Sequence, residues 1–191
     1  MAESQTQKAK TAHRAAGVAI IAAARSGSPA AFEALARHWH VRLVAHGLRL
    51  TQDREMAADA AQAAWLDIAK GLRGLRDDQA FAAWAYRIVT RRCANIIRQR
   101  QGQRDLTAEM LAEPVTEAST EQYVEGNDSF ALQRAIAMLP PGQRAALALH
   151  YYEDLSIAEV AVALAIPAGT VKTRLMHARN QLRHLLEGAK I

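Results

Sequence analysis

Residues 101–128 form a segment whose charges are nearly all of one sign, and it limits the possible folds more than any other feature. The segment contains one basic residue, Arg104, and seven acids: Asp105, Glu109, Glu113, Glu117, Glu121, Glu125 and Asp128. Like charges four residues apart oppose a helix, as does Pro114. Because so long a stretch without structure is unusual inside one domain, we predict a flexible acidic linker between two domains. A solvated spacer without a further role is an equally good interpretation.

Both halves of the chain flanking this linker have helical patterns. Half of the residues are apolar and only 5% are aromatic, with Ala and Leu prominent, so that helix formers fill nearly every segment. Residues 15–100 contain about four amphipathic patterns, interrupted near residues 26–29, 50–53 and 71–79, and helical periodicity returns at residue 129. We predict an all-α protein with a disordered tail (1–14) and two small helical domains (15–100 and 129–191).

The charge and the cysteine content restrict the function. A net charge of +5 and a pI of about 9.7 favour a polyanionic partner, either nucleic acid or an anionic membrane surface. The single cysteine, Cys93, excludes an internal disulfide and a Cys-rich zinc site, and it fits a reducing cytoplasm. Residues 15–24 superficially resemble a signal peptide, but the run is rich in Ala and continues into a helical pattern.

No pattern in the sequence predicts an enzyme. We find no recognisable nucleophile with a base, no Gly-rich phosphate loop and no histidine pair with metal-ligand spacing. His38 and His40, for example, are two residues apart and point to different faces of a helix. We therefore expect no catalytic residue, metal, cofactor or small-molecule substrate.

Residues 155–186 have the pattern of a helix-turn-helix. Ser156, followed by Glu159 three residues later, is a capping box that begins a short helix. Residues 165–167 interrupt this helix, and a second one begins near Ala168 or Gly169. In the second helix Val171, Leu175, Ala178, Leu182 and Leu185 recur at helical spacing and should face the core.

The opposite face of the second helix suits DNA. It carries cationic, hydroxyl and amide groups, which match the donors and acceptors of the major groove: Lys172, Thr173, Met176, His177 and Asn180. Three flanking arginines, Arg174, Arg179 and Arg183, are better placed for phosphates. The alternative is an ordinary helical hairpin with a solvated basic face.

A second basic helix is predicted over residues 81–100. One side is apolar, and the other carries Trp84, Arg87, Arg91, Asn95 and Arg98. An aromatic ring among guanidinium groups suits single-stranded DNA, because rings stack on exposed bases while cations follow the phosphates. The alternative is a half-buried Trp84 in the core and a solvated arginine face. Cys93, on the apolar side, is interpreted as a small core residue.

The helix predicted near residues 54–70 has a mixed acidic and apolar stripe. Glu55, Asp59, Gln62 and Leu66 form it. Such a stripe is either plain surface or a face on which a partner docks.

Three runs in the C-terminal half resemble region 4 of the extracytoplasmic-function sigma factors. They are Leu139-Pro140-Pro141-Gly142-Gln143-Arg144, Tyr151-Tyr152-Glu153-Asp154-Leu155-Ser156, and Ile166 to Leu175 with Ala178-Arg179. The resemblance implies binding to the minus-35 promoter element, with bases near Lys172, Thr173, Met176 and His177 and backbone near Thr170, Arg174 and Arg179. Ala165 stands where the family often has Gly, and His177 stands where Arg is common.

The N-terminal half is similar to region 2 of the same family. The similar segments are Ala30 to Leu35, Asp53-Arg54-Glu55 with Asp59, Gln62, Trp65 and Leu66, and Phe81 to Ile88. The resemblance implies that the Asp59 and Gln62 face grips the polymerase clamp helices, and that residues 71–80 and the next helix capture the melted minus-10 element. Ala58 and Ala63 replace usual acids, Arg91 replaces a frequent Asn, and Asn95 replaces a common Asp.

The resemblance therefore implies a sigma factor that directs promoter-specific, stress-responsive initiation. Its expected partners are core RNA polymerase (clamp helices and flap), promoter DNA, and an anti-sigma factor tethered at the membrane. Two alternatives stay open: a stand-alone helix-turn-helix regulator, and a sigma-derived interaction protein that no longer initiates transcription.

Overall fold

The computed structural model describes residues 17–110 and 128–188, with side chains described for 17–101 and 131–187. The predicted tail (1–14) and residues 111–127 of the predicted linker lie outside the described residues. Within the described ranges every regular element is helical and no strand occurs, which confirms the all-α prediction.

The described residues of the first half form four α-helices. Helix α1 covers residues 17–25, α2 is Pro29–Thr51, α3 is Arg54–Gly71 and α4 is Phe81–Met110. Ser28 caps α2 by accepting a hydrogen bond from the Ala31 N–H, and Asp53 caps α3 through the Met56 N–H. Two short 3₁₀ turns, Leu72–Gly74 and Asp78–Ala80, join α3 to α4. The predicted interruptions fall where these helices end.

Residues 128–188 of the second half also form four α-helices. Helix α5 is Asp128–Ala137, α6 is Pro141–Leu147, α7 is Ile157–Leu164 and α8 is Ala168–Gly188. Pro141 occupies the first turn of α6, where its missing N–H has no intrahelical partner to lose. A π-helical turn, Ala148–Tyr152, follows α6.

The predicted end of the fourth helix at Arg100 was too early. Helix α4 continues to Met110, so the first ten residues of the predicted linker are helical. The charge argument was wrong for these residues because the stretch contains only two acids, Asp105 and Glu109, and Pro114 lies beyond its end.

The core of the first half is built around aromatic rings between α2 and α4. The Trp39 ring lies 5.2 Å from Phe81 and 5.9 Å from Tyr86 in edge-to-face contacts. Helices α2 and α3 cross closely at Gly47, where an added Cβ would lie 3.3 Å from the Ala57 backbone. Cys93 is buried, in agreement with its prediction as a core residue.

The two halves pack against each other. Helix α4 lies along α7, and α2 contacts α6, so that one apolar cluster runs through both halves, from Leu43 and Val89 to Val160 and Val171. The sequence predicted two domains but not this packing. We call the contact between the halves the seam.

Two buried charged residues of the second half bind the first half across the seam. Glu153 is 6% exposed; its carboxylate lies 2.8 Å from Arg49 Nη1 and 3.3 Å from Arg42 Nε, and it accepts the Tyr86 hydroxyl. Arg144 donates to the Leu50 carbonyl at 3.1 Å and to the Ala137 carbonyl at 2.7 Å, at the carboxyl ends of α2 and α5. Helix carboxyl ends favour cations, so this guanidinium holds the two ends together.

Candidate nucleic-acid interface

The turn between α7 and α8 is fixed by local hydrogen bonds. The Ser156 hydroxyl accepts from the Glu159 N–H at 3.2 Å, and the Glu159 carboxylate accepts from the Ser156 N–H at 2.8 Å, which confirms the capping box. Helix α7 ends at Leu164, and the residue that follows it, Ala165, has a left-handed φ of 54°. Helix α8 then begins at Ala168, as the sequence predicted.

The two faces of α8 are divided as the sequence predicted. Val171, Leu175 and Ala178 are buried, and Leu182 is partly buried. The outer face is exposed to solvent over a set of mostly polar and cationic residues: Thr170, Lys172, Thr173, Met176, His177, Arg179 and Asn180. The helix therefore presents donors and acceptors on a rigid support, which is the form that major-groove recognition requires.

Thr173 of this face and Arg174 next to it each make a contact within the protein. The Thr173 hydroxyl donates to the Gly169 carbonyl at 3.1 Å, so its oxygen remains available to accept. Arg174 is half-buried, and an added Cβ on Gly142 would lie 3.0 Å from its Cζ. The Arg174 guanidinium thus lies against the first turn of α6, which holds it beside the exposed polar residues of α8.

The predicted face of α4 is assembled from exposed cations and one half-buried ring. Arg87, Arg91 and Arg98 are exposed, and Asn95 is half-buried. Arg98 Nη2 donates to Asn95 Oδ1 at 2.6 Å. This pairing orients the guanidinium along the outer surface of the helix, where the charge remains open to solvent.

Trp84 combines the two roles that the sequence left open. Its ring is half-buried against Phe81, with 6.0 Å between ring centroids, and an added Cβ on Gly71 would lie 2.9 Å from its Cζ2. Only glycine at position 71 leaves room for the indole. The ring is therefore held rigidly next to the loop of residues 72–80 while part of it stays accessible.

Two ion-pair groups tie α4 to α3, and sequence reasoning missed both. Asp67 lies 2.8 Å from Arg92 Nε and 3.5 Å from Arg91 Nη2, and the Arg92 hydrogen bonds hold the pKa of this carboxyl below its usual range. Arg100 contacts Asp53 at 2.7 Å and Glu55 at 3.4 Å. No local pattern marks these pairs, because the partners are 24 to 47 residues apart.

The acidic and apolar stripe of α3 lies on the surface. Glu55, Asp59, Gln62 and Leu66 are all exposed, and Leu66 keeps 62% of its surface in solvent. Glu55 shares Arg100 with Asp53, so of the four residues it is the one turned towards α4. Ala58, beside the stripe, is exposed and Ala63 is half-buried. Because neither side chain carries a carboxylate, this surface has fewer negative charges than it would have with acids at the two positions.

Metal-binding groups and membrane-spanning helices are the other features considered in the described residues. In residues 17–110 and 128–188, no group of three or more His, Cys, Asp or Glu side chains is arranged to hold a metal ion. Over the same part of the chain, every helix is too short or too polar to cross a membrane.

Comparison with known proteins decides the family. The family model for sigma-70 region 2 matches residues 35–103, and that for sigma-70 region 4 matches residues 129–182. The ECF RNA polymerase sigma factor SigM of Mycobacterium tuberculosis is 33% identical over 174 residues, which are 91% of this chain and 86% of the relative. The chain belongs to the extracytoplasmic-function sigma factors.

Other relatives of this sigma factor agree in sequence and in fold. The RNA polymerase sigma-H factor of Pseudomonas aeruginosa is 26% identical, over 88% of this chain and 92% of the relative. The structure of the sigma factor RpoE in complex with the anti-sigma factor NepR from Bartonella quintana has a TM-score of 0.66 and 22% identity, and it covers 82% of this chain and 96% of that one. That structure supports the fold.

Proposed function

We propose that this sigma factor binds core RNA polymerase in the cytoplasm and directs promoter-specific initiation without catalysing a reaction itself. The observation that carries the proposal is the pair of nucleic-acid faces on one chain. Helix α8 presents a rigid, exposed polar face for duplex DNA, and α4 presents exposed arginines beside a half-buried indole for a single strand.

In this proposal α8 recognises the minus-35 element and α4 the melted minus-10 element. Lys172, Thr173, Met176 and His177 would contact bases, while Thr170, Arg174 and Arg179 would hold the phosphate backbone. The loop at residues 72–80 and the Trp84 helix would capture unstacked bases of the minus-10 strand. That capture offsets an unstacking cost of a few kcal/mol per base step, so that binding drives melting.

The stripe of α3 is the proposed contact with the polymerase clamp helices. Leu66 supplies an exposed apolar centre, and Gln62 and Asp59 supply polar groups one and two turns before it, respectively. A polar rim around an apolar anchor is the usual composition of a specific protein interface. Ala58 and Ala63 reduce the acidic charge, so we expect a weaker electrostatic contribution to docking than a more acidic helix would give.

We also propose an anti-sigma partner. The RpoE structure that shares this fold was determined with the anti-sigma factor NepR, and the CnrH structure, which shares it too, was determined with the cytosolic domain of CnrY. A partner that holds the halves closed at the seam would keep the α3 and α8 faces from being used together.

Reconstitution with bacterial core polymerase tests the proposed function. Purified protein and core enzyme are supplied with a library of promoter fragments, and transcript start sites are mapped. We expect starts on a subset of fragments that share two spaced elements. Folded protein that directs no start with an active core would contradict the proposal and favour an interaction protein, whereas tight specific duplex binding in the absence of polymerase would favour a stand-alone regulator.

A further inference from the structure

Arg25, the last residue of α1, reaches the inner side of the loop between α3 and α4. Its Nη1 donates to the Leu75 carbonyl at 3.0 Å. Its Nε lies 3.0 Å from Asp78 Oδ1, and its Nη2 lies 3.4 Å from Asp78 Oδ2. All three guanidinium nitrogens therefore face the loop, although α1 is some 50 residues away in sequence.

These contacts have the geometry of a clamp. The guanidinium forms an ion pair with the carboxylate: Nε and Oδ1 are 3.0 Å apart but are not aligned as a hydrogen bond, and Nη2 donates to Oδ2 at 3.4 Å. Together with the hydrogen bond from Nη1 to the Leu75 carbonyl, this ion pair attaches the loop to Arg25 at two points. The Asp78 side chain is only 15% exposed, so water competes weakly for it. A lysine would keep the charge, but its single nitrogen would have to contact both Asp78 and the Leu75 carbonyl, which Arg25 contacts with different nitrogens.

The outer side of the same loop remains open. Arg73, Gly74, Arg76, Asp77 and Gln79 are exposed. The two 3₁₀ turns are short, and the backbone bonds at their ends run from the Leu75 N–H to Leu72 and from the Ala80 N–H to Asp77. The described contacts that hold the middle of the loop from outside it are those of Arg25, together with the packing of Leu75 on the core.

We infer that Arg25 is a positioning residue for minus-10 recognition: it fixes the backbone of residues 72–80 so that their exposed side chains meet unstacked bases in one geometry. The inference rests on the proposed function of this loop. Recognition by side chains requires placement to within a fraction of an ångström, so a loop that lost the clamp would still bind a single strand but would select bases poorly.

The first measurement needs no polymerase. Amide hydrogen exchange is followed in the full chain for wild type, Arg25→Ala, Arg25→Lys, Asp78→Ala and the double variant Arg25→Ala with Asp78→Ala. We expect faster exchange at residues 72–80 in every variant, with the double variant no faster than Arg25→Ala. Arg37→Ala, which breaks an exposed pair with Glu33 on α2, is the control and should leave the loop unchanged. Wild-type exchange rates in Arg25→Ala would overturn the inference.

The second measurement uses core polymerase and templates that are already melted at the minus-10 element. The readout is the ratio of transcripts from a template with the selected minus-10 bases to those from a template with substituted bases. We expect Arg25→Ala to lower this ratio by about tenfold, since small misplacements of binding groups cost one to two orders of magnitude. Arg25→Lys should recover little of it, and core binding should stay as in wild type.

The outcomes separate the inference from the proposed function. An unchanged ratio in Arg25→Ala, with wild type active, would overturn the positioning role alone. A ratio that falls only on duplex templates and recovers on melted ones would also overturn it, because Arg25 would then serve folding or melting. Absence of transcription with wild-type protein would overturn the proposed function itself.

Discussion

Ala165 is the residue at which the helix-turn-helix pays a conformational cost. Its φ of 54° and ψ of 44° end α7 in the left-handed region, where a Cβ crowds the following carbonyl. The N–H of Ala165 still bonds to Val162 and that of Ile166 to Ala161, so the turn is held by its hydrogen bonds. Glycine would adopt the same backbone without the steric penalty.

We expect Ala165→Gly to stabilise the protein by about 1 kcal/mol, since the strained Cβ is removed. Ala58→Gly is the control: it makes the same substitution at an exposed, right-handed position of α3, and it should cost about 0.5–1 kcal/mol. Chemical denaturation measures both. Destabilisation by Ala165→Gly similar to that of the control would contradict the account of the turn.

His46 makes the stability depend on pH. Its ring is fully buried, its Nε2 lies 3.0 Å from the Thr90 hydroxyl, and burial followed by the Arg49 charge lowers the pKa of His46 to about 3. Between pH 6.5 and 5 the unfolded chain binds a proton at this residue that the folded chain does not. Folding stability must therefore fall as the pH falls through this window.

The expected slope from His46 approaches 1.4 kcal/mol per pH unit, the limit for one proton. His46→Gln removes the titrating group and should flatten the unfolding free energy between pH 6.5 and 5 by up to that amount. His40→Gln alters an exposed imidazole of the same helix and should leave the slope as in wild type. Equal slopes in all three proteins, from denaturation at several pH values, would disprove the role of His46.

At the scale of elements, the sequence predicted most helix boundaries because their signals are local. Ser156 with Glu159, Pro141, and the break at residues 165–167 each specify an end within a few residues. The end of α4 was missed because the acids that oppose a helix lie mostly beyond Met110. The faces of α4 and α8 could also be predicted, because they follow from the periodicity of single helices. The Asp67–Arg92 and Arg25–Asp78 pairs could not, because each joins two separate elements.

The crossing of α2 and α3 depends on small residues. Gly47 is buried, and the backbone of Ala57 lies where a larger side chain would go. Ala57, Ala60, Ala61 and Ala64 are buried in the same helix, so α3 presents a smooth surface that lets the axes approach. A larger residue at position 47 would have a higher helix propensity than glycine, but this gain would not compensate for its clash with the Ala57 backbone.

We expect Gly47→Val to destabilise the protein by about 1–3 kcal/mol, because overpacking forces the helices apart. Gly17 in α1 has no atom within 4 Å of an added Cβ, so Gly17→Ala should be neutral or stabilise by up to about 1 kcal/mol through propensity alone. Thermal unfolding of the two variants compares them. A Gly47→Val variant as stable as wild type would contradict this account, because it would show that α2 and α3 can accommodate a larger side chain at their crossing.

At the scale of the molecule, the two halves are joined by the seam. Its apolar part joins α4 to α7, and its polar part is concentrated on Glu153, with Arg42, Arg49 and Tyr86 opposite. The sequence could not predict it, because Arg49 and Glu153 are 104 residues apart and no periodicity links them. Charge segregation predicted a division of the chain near residues 101–128 but could not predict how the two parts meet.

We expect wild-type protein to unfold in one transition, and Glu153→Ala to lower stability by about 1–3 kcal/mol, because it leaves the buried Tyr86 hydroxyl without its acceptor. Arg42 and Arg49 add less, since 39% and 28% of their side chains are exposed to solvent. The matched control is Glu33→Ala, which breaks the exposed Glu33–Arg37 pair and should change stability by less than about 1 kcal/mol. Denaturation followed by Trp fluorescence and by helical circular dichroism gives both values. Two separate transitions in wild type would mean that the seam does not couple the halves.

The central claim is that one chain selects duplex DNA with α8 and captures a melted strand with α4. Permanganate reactivity of melted thymines tests it most directly, in complexes with core polymerase on two promoters that differ only in the upstream element. We predict that Lys172→Ala reduces the difference between the two promoters, whereas Arg87→Ala keeps that difference and lowers thymine reactivity on both. The reverse pattern, or wild-type complexes without reactive thymines, would contradict the account.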